Sequence, residues 1–222
     1  MIYFWPDFRS RGCTVLDFGI RTEPEFGVFM MEHFGCTVHG FDPSPISQAK
    51  EWMDEYGLVG NPNYTFHSYG VGAVDGTVQL FDYDWGQVSI HRAHDRVDPA
   101  NSLKLLPEPK MKAHQVEVAT LAGILSALHL DKEGDVDVLK IDVEGSEWGF
   151  FQAVFDAKDP ARRCPPAKLL LIEWHHHSLN ELYGASDELN EMTTFLEVRT
   201  SACCSLLSRE GKERWTSNVH PP

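Results

Sequence analysis

A chain of 222 residues, 42% of them hydrophobic, can bury one sizeable core, so a single α/β domain is the expected unit. Its 19 basic and 33 acidic residues give a formal net charge of −14, which repels phosphate backbones and argues against nucleic acid as a partner. No stretch is long and apolar enough to cross a membrane, and the apolar start Met1 to Phe8 is too short and lacks the basic opening of a leader. Neither a nucleic-acid nor a membrane partner is therefore expected for this chain.

Residues 1–13 read as an N-terminal extension, which could be the tail of a longer protein, and residues 14–222 as the domain. The run Thr14, Val15, Leu16, Asp17, Phe18 ending at Gly19 has the composition of a buried strand. From Glu23 to Phe34 the residues Phe26, Phe29, Met30, His33 and Phe34 recur at helical spacing, and Gly35 is the natural stop. Cys36 to Phe41 is a second apolar run, closed by Asp42. Strand, helix, strand predicts parallel strands with a ligand beyond their carboxyl ends.

Gly19 falls where the first strand turns into its helix, so backbone can approach a ligand there. Asp42 closes the second strand about 20 residues later, where a carboxylate accepts from both hydroxyls of a ribose. The pair points to a nucleoside-containing cofactor; the bland alternative is a buried strand with a helix cap.

Further on, Ser44 or Ser47 can cap a helix that runs to about Tyr56. Tyr64 to Tyr69 reads as a third strand whose last residues, Ser68 and Tyr69, would edge a flat base. Asp75-Gly76, between Val71, Val74 and Val78, Leu80, is a hairpin signal. Residues 82–112 lose all periodicity and read as a lid or flexible loop. Val116 to Ala119 alternates as an edge or connecting strand, and Thr120 caps a helix through Leu121, Ile124, Leu125 and Leu128.

Val136 to Ile141 is a strongly β-prone run followed by Asp142, Val143 and Glu144, so two carboxylates leave one strand end together. Lys168 to Trp174 is another buried strand, ending in His175, His176 and His177. Consecutive residues of an extended chain alternate in direction, so at most two of the three histidines share a ligand. A metal would need them to meet Asp142 or Glu144; the other readings are one histidine acting on substrate, or none. No metal site is assigned. The five cysteines, Cys13, Cys36, Cys164, Cys203 and Cys204, form no C-x-x-C pair and no regular framework, which fits a reduced, cytoplasmic compartment.

The segments VLDFGI, GCTVHGFDPSP, FHSYGVG with its following DG turn, VDVLKIDVEGSEW and LLIEWHH together resemble the FkbM-type methyltransferases and their methyltransferase-like neighbours, over residues 14 to 177. The resemblance implies a doubly wound, mostly parallel, seven-stranded sheet of the class I, Rossmann-like kind, with S-adenosylmethionine as cofactor. It also implies methyl transfer to a hydroxyl oxygen of a small molecule or glycan acceptor. By the same similarity Asp17, Gly19 and Asp42 serve the cofactor and Asp142 and Glu144 lie on the substrate side; Asp142, Glu144, His175 and His177 are the candidate bases. The chain departs from the family in its first turn, where the usual second glycine falls at Arg21. A bulky residue without easy access to positive φ would hold the loop away from the cofactor, or Arg21 would pair with the cofactor's carboxylate. Two rival readings are a non-catalytic binding protein of the same fold and a nicotinamide-dependent oxidoreductase; the latter lacks the G-x-G-x-x-G run.

Overall fold

A computed structural model of the chain describes residues 12–83, 88–89, 97–98, 101–105, 111–132, 134–143, 147, 150, 154 and 167–173. In chain order the elements are Thr14–Phe18 (β1), Glu25–Phe34 (α1), Thr37–Phe41 (β2), Pro45–Gln48 (α2), Glu51–Glu55 (α3), Tyr64–His67 (β3), Gly70–Val71 (β4) and Gly76–Tyr83 (β5). They continue with Val88–Ser89 (β6), Val97–Asp98 (β7), Asn101–Leu105 (β8), Met111–Ala119 (β9), Leu121–Ala127 (α4), Val136–Ile141 (β10) and Ala167–Ile172 (β11).

Five strands, all parallel, form one sheet in the order β11-β10-β1-β2-β3. Successive residues of β1 feed opposite faces: Val15 joins Met30 of α1, Trp52 of α3 and Val38, whereas Leu16 and Phe18 join Leu121, Ile124 and Leu125 of α4. Helices thus cover both faces, as an all-parallel sheet requires. Among the described residues this sheet has five strands, not the seven implied by the resemblance. Among the described residues, β9 pairs with β4 and β5, and β5 with β6, in a second sheet ordered β4-β9-β5-β6.

That second sheet corrects two local expectations. Val71 and Val78 do not face each other across a hairpin, since β9 lies between β4 and β5, parallel to the first and antiparallel to the second. It is therefore an interior strand rather than an edge. The Asp75 carboxylate instead accepts from the Thr120 amide at 2.6 Å and its hydroxyl at 3.0 Å, while Thr120 Oγ1 accepts from the Gly123 amide as the expected cap of α4. Within the stretch 82–112 lie β6, β7 and β8, with β7 and β8 forming an antiparallel pair.

The helix after Asp42 is broken in two, because Lys50 takes a left-handed φ of 63° between α2 and α3. Helix α1 ends as expected, with Gly35 at φ 67° donating its amide to Met31 O at 2.9 Å. Its buried face differs from the periodic reading: Gly27 and Met30 are buried, while Phe29 is 43% exposed and stacks on His33. Gly27 fits there because an added Cβ would press on Val38 of β2.

Cys13 and Cys36 form a disulfide, Cα to Cα 4.4 Å, which overturns the expectation of a chain of free thiols. Strand register makes the pair: each cysteine immediately precedes a strand, and Thr14 lies opposite Thr37. Disulfides of this kind persist in oxidising environments, so the bond gives no support to the reduced compartment expected from cysteine spacing.

Candidate active site

The chain lays down β1, β2 and β3 outward on one side, then returns with β10 and β11 on the other. The switch point is therefore the gap between β1 and β10, and open parallel sheets bind ligands beyond the strand ends at such a point. Gly19 leaves β1 there with φ 85°, and an added Cβ would overlap the carbonyl oxygen of Asp142. Only glycine permits this crossing of two backbones. Asp142 is in turn tied to β1 by its amide, which donates to Phe18 O at 3.1 Å. Over this junction opens a cavity of about 370 Å³. Gly19, Arg21, Asp42, Ser44, Lys140 and Asp142 line it on the first sheet's side, and Val71, Val78, Leu80, Val116 and Val118 line it on the second sheet's side.

Asp42 is buried and holds the first turn together. Its Oδ2 accepts from the Arg21 amide at 2.8 Å; its Oδ1 accepts from the Ser44 amide at 2.8 Å and from the Ser44 hydroxyl. A carboxylate oxygen has two acceptor directions, so Oδ2 retains one for a further donor. Arg21 adopts φ 50°, so the positive φ that its bulk was expected to resist is reached. The Arg21-to-Asp42 hydrogen bond holds it in that conformation. Its side-chain Nε is buried without a hydrogen-bond partner among the described residues, and the residue lines the cavity.

Behind the rim sits a triad that the sequence reading missed in part. Register places Asp17 beside Lys140, and strand alternation puts Asp142 on Lys140's face. The ammonium lies 3.3 Å from Asp17 Oδ1 and 3.4 Å from Asp142 Oδ2; the first contact is an ion pair without hydrogen-bond alignment. Asp17 is 1% exposed, and burial raises its carboxyl to about 6 despite the opposing pull of Lys140. It does not line the cavity; its ion-pair partner Lys140 does. The signal for Lys140 was its two-residue spacing to Asp142, the residue just past the end of the same strand.

Ser68 and Tyr69 are not among the lining residues; Gly70 and Val71, the next two, are. Tyr69 packs edge-on against Phe41 and His67. His67 stacks on Phe41 with centroids 4.4 Å apart and shares a 3.1 Å contact with His39. Burial, followed by the neighbouring His39, lowers His67 to about 4, and burial lowers His39 as well. Tyr64 lies under Gly40 with its hydroxyl buried and unpartnered; burial and then the charges of Asp17 and Asp42 push its pKa well up. Glu144, His175 and His177 lie outside the described residues. Among the described residues no three metal-ligating side chains converge.

No curated protein and no solved structure matches the chain. A family model described as the methyltransferase FkbM domain matches residues 21–203.

Proposed function

The chain belongs to the FkbM methyltransferase domain family, and from that premise we propose that it is an S-adenosylmethionine-dependent methyltransferase acting on a hydroxyl of a small molecule or sugar. The observation that carries the cofactor reading is that Asp42 and Asp142 stand on one rim of one cavity, either side of Gly19. Had they stood on opposite rims, or had apolar side chains filled the space, the reading would have failed.

The residues present suit this cofactor. Gly19 admits close backbone approach, the open direction on Asp42 Oδ2 suits a ribose hydroxyl, and the orphaned Arg21 Nε suits a carboxylate. Val71 and Val118 offer an apolar face to a base. The donor, when bound, supplies a methyl group already activated on a sulfonium. What is left to the chain is orientation and one proton. Asp42 and Gly19 orient; the second-sheet valines keep water from one side of the cavity; Asp142, held by Lys140, is a base within reach of the same space. Glu144, His175 and His177 are the other candidates for that proton.

Thermal shift tests this reading. S-adenosylhomocysteine at 100 times its dissociation constant should stabilise the chain by about 2.7 kcal/mol, or roughly 5–10 °C, with NAD leaving the midpoint unchanged. A shift with NAD and none with S-adenosylhomocysteine would point to the oxidoreductase instead.

A further inference from the structure

Among the described residues, the second sheet contributes only glycine, valine and leucine to the cavity's lining. Every charged side chain of that lining comes from β10, α1 or the turns after β1, β2 and β10. Register sets Val78 opposite Val116 and Gly76 opposite Val118, so Val78, Leu80, Val116 and Val118 share one face of the second sheet. The intervening Thr77, Gln79, Gln115 and Glu117 point the other way and are exposed. His114, opposite Leu80, does not line the cavity. Among the described residues the four apolar side chains join neither hydrophobic cluster that packs the first sheet's two faces, so covering that sheet does not account for them. Val118 marks the end of the face beside the turn after Asp42, since a Cβ added to Gly70 would meet Pro43 at 3.0 Å and Val118 at 3.4 Å. From Gly76, at the level of Val118, to Leu80 the face runs four residue steps, roughly 13 Å.

Resting on the cofactor reading above, we propose that Val78, Leu80 and Val116 form the acceptor subsite, and that the acceptor is an alcohol with an apolar body rather than a free sugar. In the cofactor reading Val71 and Val118 serve the base; the other three have no role in it, yet they continue the same wall of the same cavity. A sugar laid on this wall would lose water from several hydroxyls at once. The wall offers them no side-chain donor or acceptor, and the β5–β9 ladder already engages the backbone groups between the two strands. Hydroxyls desolvated without partners oppose binding, whereas an alkyl or aryl body gains from leaving water at the same surface. Charged groups on the opposite side of the cavity remain for the acceptor's one reacting hydroxyl.

Two probes with opposite bodies test the subsite. Octan-1-ol and methyl α-D-glucopyranoside are each titrated into the full chain saturated with S-adenosylhomocysteine, and binding is read by saturation-transfer-difference NMR. Octan-1-ol should bind at least roughly tenfold more tightly than the glucoside. Val78→Thr keeps the side chain's shape and β-propensity but puts a hydroxyl on the wall, and it should weaken octan-1-ol by about fivefold. Circular dichroism and retained S-adenosylhomocysteine binding establish that this variant is folded; should it not fold, the wild-type comparison decides by itself. A glucoside that binds as tightly as octan-1-ol, octan-1-ol excluded once S-adenosylhomocysteine is bound, or a folded Val78→Thr that binds octan-1-ol as well as the wild type overturns this inference alone. A wild type that does not bind S-adenosylhomocysteine overturns it together with the cofactor reading.

Discussion

Arg21 occupies a left-handed conformation, φ 50°, that costs a residue with a side chain about 1–2 kcal/mol. Its amide donates to Asp42, its Nε is buried without a hydrogen-bond partner among the described residues, and the residue lines the cavity, so the strained conformation sits at the proposed cofactor site. Arg21→Gly should therefore raise the melting temperature, by about 1 kcal/mol of stability, while weakening S-adenosylhomocysteine binding. Lower stability would show that the side chain supports the turn rather than the ligand. Gly19→Ala should do the opposite: a methyl group cannot fit against the Asp142 carbonyl, and the variant should lose several kcal/mol or fail to fold, as read by circular dichroism. At this scale Gly19, Asp42 and Asp142 were legible because each sits at a strand end, where position alone implies a role. Arg21's conformation was not, since it is held by a hydrogen bond that its amide donates to a carboxylate 21 positions away. Lys140 was overlooked because its partner Asp17 lies on another strand, and a register cannot be read from either strand alone.

The elements were legible wherever the signal was local. Strands β1, β2, β3, β10 and β11, the Gly35 stop and the Thr120 cap all follow from short-range patterns. The second sheet was not, because β9 inserts between β4 and β5 although it begins at Met111, well beyond the end of β5 at Tyr83 and after the turn at Asp75-Gly76 has already suggested a hairpin. The Cys13–Cys36 bond is of the same kind: the two cysteines are 23 positions apart in sequence and neighbours only through the parallel register. It closes a loop that contains all of β1 and α1, so Cys13→Ser with Cys36→Ser should cost about 3 kcal/mol in denaturant unfolding. A non-reducing mass measurement that finds both thiols free in the native chain would contradict the disulfide directly.

For the molecule as a whole, buried Asp17 and half-buried His67 titrate in opposite senses and shape the acid side of the stability curve. Asp17 is raised from 3.8 to about 6, so its neutral form is favoured by folding; that contribution is fully present below 3.8 and is lost as pH rises through 6. His67 is lowered from 6.5 to about 4, so its contribution is present above 6.5 and is lost as pH falls through 4. Asp17→Asn should accordingly compare better with the wild type at pH 8 than at pH 4, and His67→Phe should lose less stability than the wild type between pH 6.5 and 4. Melting temperatures at these pH values check both signs.

All of this converges on the β1–β10 switch point, where residues of both sheets, among them Gly19, Asp42 and Asp142, line one cavity. The most direct test is a calorimetric titration of S-adenosylhomocysteine into the chain and into Asp42→Asn, a change that keeps the side chain's shape but removes its charge and one acceptor. One site should bind in the wild type, weakened by roughly tenfold or more in the variant with the fold intact. No binding to the wild type, or equal binding to both, would contradict a cofactor held by Asp42 in this cavity.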